Sequence, residues 1–423
     1  MTSLARVSLA GLLLLTACGP SAQVSPSPTA QPSPTQASES PTAGAPTAGP
    51  SPTDTEQPAS PTPANPTALA SPSAAPTAAP DAWQGPALIS ERGYHEPSLV
   101  IDASGVAHVA ARLNDGIFYL TNASGSWTRE RVSRPPRDSA DEQPSIAIDA
   151  DGTLAVAFTR MYDSELGRFP QEVLVADNRG GTWSSPRQIA AEGANSPSIK
   201  LRDGTLHICW VQGGPTDVID DDAEYPVLYA TESGGALDID EVASNGALPR
   251  LELAADGSAR ILIGSPFWSP IGVIFAVGDG AGSFALERLP ATTGDERNVK
   301  LALDDSGAAH AIWSSWPENV SQPTIEYATH NGGSWSSPEP VLENALETAL
   351  AGDSAGGVRA ALGGPDGVWY VIRRGGTLAS ERLSSEEPLA LDLVVDDSGR
   401  AHLVFISRTG AGTAFWYGVG PAD

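Results

Sequence analysis

Three arginines and three aromatic residues, Arg112, Arg160, Tyr162, Trp268, Trp316 and Arg408, are spread over some 300 residues, but each falls where a short apolar run gives way to a loop. Guanidinium groups pair with carboxylates, and aromatic faces stack on sugar rings or peptide groups. They form a binding face only if a fold gathers those loops at one mouth. Other reactive side chains point elsewhere. Cys209 lies in the apolar stretch LHICWV and reads as a buried, inert thiol. Asp220, Asp221 and Asp222 could hold calcium, but they lack the glycine and spacing of an EF-hand loop and read as a solvated charge run, so no cofactor is expected. His108, His207, His310 and His402 are four of the six histidines and occupy one repeated slot, which Ala155, Arg260 and Arg359 fill in other repeats. A shared structural role, such as bonding to a neighbouring turn, fits this better than a metal site, because each histidine belongs to a different repeat. No HExxH, Walker or Rossmann motif is present.

The element that must position these residues is a repeat. EPSLVIDASG at 96, QPSIAIDADG at 143, SPSIKLRDG at 196, PRLELAADG at 249, NVKLALDDSG at 298, TALAGDSAGG at 348 and LALDLVVDDSG at 389 are one phrase met seven times. Each begins a unit of strand, glycine turn, strand, variable loop and a third strand ending near Tyr, followed by a glycine turn and often a Trp. Four short strands per unit at a period of ~40 to 50 residues predict propeller blades.

The seventh unit stops at Phe415-Trp416-Tyr417-Gly418 without a fourth strand, while an orphan run, Trp83 to Ile89, precedes the first. It resembles WSSPEPVL at Trp335 and WSSPRQI at Trp183. Docked as the missing outer strand of blade seven, it would close the ring and remove an exposed sheet edge. The expected fold is therefore an all-β, seven-bladed β-propeller of four-stranded blades over residues 82–423, closed by an N-terminal strand.

What precedes it is of another kind. Met1 to Arg6 and the apolar run Val7 to Leu15 resemble a signal peptide, the run being too short for the ~20 residues that span a bilayer. Leu15-Thr16-Ala17-Cys18-Gly19 resembles the bacterial lipobox, which implies lipidation of Cys18. Residues 19–81, with units such as SPSPTAQPSPT and no aromatic residue, predict a disordered Pro/Ser/Thr/Ala stalk. The protein is expected to be extracytoplasmic, held to the cell membrane by its lipid alone.

The phrase ADNRGGTW, Ala176 to Trp183, resembles the Asp-box or BNR repeat of sialidase-like propellers, Ser-x-Asp-x-Gly-x-Thr-Trp. Asn178 stands at the Asp position, Gly180 at the Gly, and Thr182 and Trp183 at the last two. His330 and Gly332 take these places before Trp335, and Asn122 and Ser124 before Trp127. In that family the box is a structural turn, so the resemblance implies a fold. The Tyr- or Phe-Arg-Ile-Pro motif on which sialidase activity rests is absent; Gly93-Tyr94-His95-Glu96-Pro97 stands near its place.

The net charge of −27 opposes nucleic acid, whose phosphates repel an acidic surface. Propellers bind on the face built from the loops between second and third strands and between blades. The loops here carry Arg160-Met161-Tyr162-Asp163, Asp217 to Glu224, Pro266-Phe267-Trp268 and Ser315-Trp316-Pro317-Glu318. The expected function is a monomeric surface lipoprotein whose propeller binds a glycan, a peptide or another extracytoplasmic ligand. The alternative is a glycoside hydrolase or lyase of the sialidase-like kind, which would set two carboxylates or a Tyr/Glu pair around a pocket containing Arg.

Overall fold

A computed structural model describes residues 83–421, apart from 115, 163–170, 214–223, 267–270, 291, 293–295, 317–321, 354–355, 375, 411 and the side chains at 94 and 95. The described strands form seven antiparallel sheets of four. Their first strands are Tyr94–Ile101, Ser139–Ile148, Asn195–Arg202, Ala247–Leu253, Glu296–Leu303, Glu347–Gly352 and Pro388–Val395, so each of the seven sequence phrases becomes the first strand of a blade. Six sheets run in chain order. The seventh is completed by Gln84–Ser90, which pairs antiparallel with Gly412–Val419, Ala87 opposite Tyr417 and Leu88 opposite Trp416. The orphan strand closes the ring as the sequence predicts.

Both faces of a blade are covered by its neighbours, so the second strands are buried almost end to end instead of alternating. AHAIWSS at Ala309–Ser315 is wholly buried, and AHLVFIS before Arg408 likewise. The core is correspondingly divided into seven apolar clusters, each joining two consecutive blades, such as Trp210 with Val175 and Phe415 with Leu113.

A regular aromatic step links the blades. The residue opening a fourth strand packs on the third-strand aromatic of the preceding blade: Trp183 on Tyr119, Phe284 on Tyr229, Trp335 on Phe275, Trp83 on Tyr370 and Trp127 on Tyr417, with ring centroids 4.9–5.5 Å apart. Such tilted contacts add to the area each ring buries. The glycine turn before these residues is also tied down: Asn178 and Asn122 accept the backbone N–H groups of Leu154 and Ala107 at 2.7 and 2.9 Å.

The recurrent histidines join this step. In blades one, five and seven the imidazole Nδ1 lies 2.6–2.7 Å from the hydroxyl of Tyr119, Tyr327 or Tyr417. Nε2 faces the carboxylate of Asp102, Asp304 or Asp396 at 3.4, 3.2 and 3.0 Å. A carboxylate only accepts, so Nε2 carries the proton and Nδ1 accepts from the tyrosine. The histidine thus bonds within its own blade, to its own first turn and third strand, where the sequence suggested a neighbouring turn. The same Asp caps that turn: Asp304 Oδ1 accepts the N–H groups of Ser306 and Ala308 at 2.9 and 3.0 Å, and Gly307 supplies the φ of 81° that a side chain with Cβ rarely adopts. In blade three, His207 keeps the Tyr229 bond at 2.6 Å. In blade six, Arg359 replaces histidine and bonds Tyr370 at 3.1 Å.

Candidate functional site

The seven first strands surround an axial cavity of about 160 Å³, room for roughly five waters at ~30 Å³ each. Side chains two apart on a strand share a face, so the repeated phrase sets equivalent positions side by side around this channel. Glu96, Gln143, Ser196, Leu248, Asn298 and Glu347 follow one another at one level. Ser98, Ser145, Ser198, Arg250, Lys300, Ala349 and Asp392 follow at the next. Lys200 and Glu252 lie one step further along, with Nζ and Oε1 2.7 Å apart.

The second level staples the ring. Ser98, Ser145 and Ser198 each accept a backbone N–H from the first strand of the next blade, that of Ile146 at 3.1 Å, Ile199 at 3.2 Å and Leu251 at 3.0 Å. Asp392 accepts that of Leu99 at 2.8 Å, across the seam between blades seven and one. These bonds satisfy inner-edge groups that a closed sheet would otherwise leave unpaired.

The same cavity crowds charges. Arg250 reaches Glu96 at 3.8 Å and donates to the Val299 carbonyl at 3.3 Å. Glu347 is pushed up to about 8, first by burial and then by the charge of Glu96, with Lys300 working against the shift. Burial also raises Asp392, against the pull of Lys300 and of the Leu99 and Leu393 N–H groups. Lys300 is held below its ordinary value by burial and by Arg250. The only two lysines of the chain, Lys200 and Lys300, both stand in this channel.

The residues singled out in the sequence are distributed as follows. Arg112 forms an ion pair with Glu142, joining blade one to blade two. Arg160 grips Asp141 through Nε at 2.6 Å and Nη2 at 2.9 Å, and Ser133 donates to the same carboxylate at 2.6 Å. Asp141 and Glu142 are buried, so these pairs fix the rim as inter-strand clasps. Tyr162, on the strand that carries Arg160, donates to Glu172. Its hydroxyl is raised above its usual value by burial and by that acid. These three residues gather at one sector. Trp316 sits on blade five, half-buried, with the Arg297 guanidinium 5.5 Å from its ring centroid, and Arg408 is exposed on blade seven. Trp268, Cys18, Asp163, residues 1–81 and the Asp220–Asp222 cluster lie outside the described residues. Cys209 is fully buried, its thiol pushed up to about 12 by burial, as an inert core residue should be.

A second recess, about 550 Å³ and more open, follows the seam where Gln84–Ser90 lies near the outer strand of blade one, with Leu88, Arg92, Trp127 and Arg129 in its walls. It gathers fewer charges than the channel. The sequence reading missed the channel's own residues. Their signal was the charge inside otherwise apolar first strands, as in SPSIKLRDG and NVKLALDDSG.

Fold and site together define an all-β seven-bladed propeller with a charged axial channel. No family model matches the chain, and no curated protein sequence matches it either. Solved structures similar to it include a polysaccharide lyase described as a PL25 ulvan lyase bound to -[GlcA(1-4)Rha3S]-, at a TM-score of 0.55 and 11% identity over 80% of this chain and 96% of that one. A fungal alcohol oxidase of the AA5 family in complex with copper gives 0.51 and 11%, over 80% and 76%. The Trypanosoma rangeli sialidase in complex with the inhibitor DANA gives 0.47 and 8%, over 78% and 55%. At these identities the likeness is one of fold.

Proposed function

We propose that this chain is a lipid-anchored, extracytoplasmic binding protein whose propeller presents its axial channel and rim to a carbohydrate. The observation that carries this reading is the polar lining of the channel: serine hydroxyls, Lys200, Lys300, Arg250, Glu96, Glu252 and Asp392 around one cavity of about 160 Å³. A sugar presents hydroxyls and acidic groups, and a site with several fixed donors and acceptors recognises such a ligand. The degenerate Asp-box turns and the polysaccharide lyase among the structural neighbours are consistent with it. The lipobox at Cys18 and the stalk after it support the location.

A second reading, a glycoside hydrolase or lyase, has one observation in its favour: Tyr162 bonds Glu172 beside Arg160. Against it, Glu172 belongs to the third strand of blade two, away from the channel, Arg160 is committed to Asp141, and the tyrosine hydroxyl is made less acidic, the reverse of what a nucleophile needs. The test is a glycan array with the purified chain, run beside a panel of chromogenic glycosides and uronate-containing polysaccharides. Retention of a glycan without turnover is expected. Turnover of any substrate reverses the order of the two readings, and absence of both retention and turnover overturns the carbohydrate reading.

A further inference from the structure

The staples around the channel are interrupted over three consecutive seams. Where blades one, two and three carry Ser98, Ser145 and Ser198, blades four, five and six carry Arg250, Lys300 and Ala349. The N–H groups that the missing oxygens would accept belong to Leu301 and Leu350. Both residues hold the register of their stapled counterparts: Leu301 opposes Ala311 and Leu350 opposes Ala360, as Ile199 opposes Ile208. No side-chain acceptor meets either N–H among the described residues, and both leucines line the axial cavity. In the next blade the acceptor is instead supplied locally, Leu393 N–H bonding its neighbour Asp392 at 3.0 Å.

Two substitutions therefore convert an acceptor into a donor at the point where an acceptor is owed. Arg250 donates Nε to the Val299 carbonyl at 3.3 Å and stands 3.8 Å from Glu96. Lys300 makes no hydrogen bond and no ion pair among the described residues, although it stands inside the ring. Glu347, next to it in the ring and pushed up to about 8, carries its proton at neutral pH and is a further donor. Asp392 has its carboxylate on two backbone N–H groups. One wall of the cavity thus offers an ammonium and two backbone N–H groups with no acceptor among the described residues, beside a guanidinium that reaches the Val299 carbonyl and Glu96. Oriented N–H groups beside a cation make an anion site.

We infer that the arc of the channel formed by blades four to six is an oxyanion site that receives a carboxylate or sulfate group between Lys300, Arg250 and the N–H groups of Leu301 and Leu350. The group would occupy the place of the missing serine oxygens and complete the staples of the ring. The inference rests on the binding reading for the source of the anion, borne on a sugar or free, and on the channel geometry for its chemistry.

The test is isothermal titration calorimetry of the full chain with sodium sulfate, sodium acetate and sodium glucuronate, each against sodium chloride at matched ionic strength. A saturable one-site isotherm is expected for at least one oxyanion. Lys300→Ser installs the residue that blades one to three already carry, so it should fold, and it should weaken that binding at least about tenfold by removing the cation and capping the Leu350 N–H. Tighter binding of glucuronate than of acetate would identify a sugar-borne group, and equal binding a free ion; either supports the site. A signal in Lys300→Ser equal to that of the unaltered chain, or no saturable signal with any oxyanion, overturns it. Saturable sulfate or acetate binding alongside a blank glycan array would leave the site standing and remove the carbohydrate reading.

Discussion

Tyr417 donates its hydroxyl to Nδ1 of His402 across 2.6 Å, in the core between blades seven and one. The imidazole passes the arrangement on to Asp396 at 3.0 Å, and Trp127 closes over the phenol ring at 4.9 Å. One residue from a turn, one from a second strand, one from a third strand and one from the next blade meet in this contact, so the repeated histidine slot serves the joint between blades.

Tyr417→Phe leaves the ring contacts in place and removes one donor from a buried imidazole nitrogen. It should lower stability by roughly 1–3 kcal/mol, measured as a shift of the urea midpoint at unchanged slope. The same change at Tyr370 removes the acceptor of the buried Arg359 guanidinium and should cost at least as much.

Acid should loosen the molecule through the same slots. Burial holds His108, His207, His310 and His402 below the ordinary imidazole value, so the unfolded chain takes up protons first. Their contribution is intact above about pH 6.5 and is lost as pH falls through the lower folded values. Asp396 is held down at about 2, chiefly by bonds from His402 and Ser398 working against burial. Its share is complete above the usual carboxylate value of 3.8 and is lost progressively as pH falls from there to about 2. In a Glu347→Gln background, which removes the opposing titration of the channel, a melting temperature that falls between pH 7 and pH 5 is the expected record; a flat profile there would contradict it.

In the channel the sign is reversed. Glu347 is raised, so its stabilising contribution is present below about pH 4.5 and is lost as pH rises through about 8. The neighbours that face it are Glu96, which sharpens the effect, and Lys300, which moderates it. Glu347→Gln should remove that slope. The variant should gain on the unaltered chain by roughly 1–3 kcal/mol between pH 5 and pH 9, read from urea midpoints at the two pH values.

A chain beginning at Glu96 lacks Gln84–Ser90 and Trp83, which packs on Tyr370 at 4.9 Å. The loss of a core Trp alone is worth about 3–5 kcal/mol, and an open sheet edge favours aggregation. This chain should therefore melt lower or aggregate, whereas one beginning at Asp81 should melt with the intact protein. Equal melting of the two would show that the strand contributes nothing to closure.

Cys18→Ser should abolish partitioning into the detergent phase with membranes and leave the propeller's melting unchanged. Partitioning that survives the substitution would remove the lipid anchor from the proposal.

The seven repeats, their strand order and the closing strand were legible because each rests on a local signal: turn glycines, short apolar runs, and one strand missing at one end and spare at the other. The candidate site was legible only in part. Arg112, Arg160 and Tyr162 do share a sector, but the acids that hold them, Glu142, Asp141 and Glu172, lie 30, 19 and 10 residues away in sequence and nothing local announces the pairing. Lys300 and Arg250 looked unremarkable because a charge within a strand reads as solvent-facing. Only the closed ring turns that face inward, where the exceptions to the serine staple become visible.

The strand that closes the ring is also the first that any load on the preceding chain must cross. Tension drawn along the chain meets first the Trp83 ring seated on Tyr370 of blade six and then the terminal pair of Gln84 with Val419, so load enters at the one seam where the beginning of the propeller is joined to its end. Held as proposed, the chain would be tethered by the clasp of its own ring, and any load between the tether and a ligand in the channel would pass through the seventh blade first.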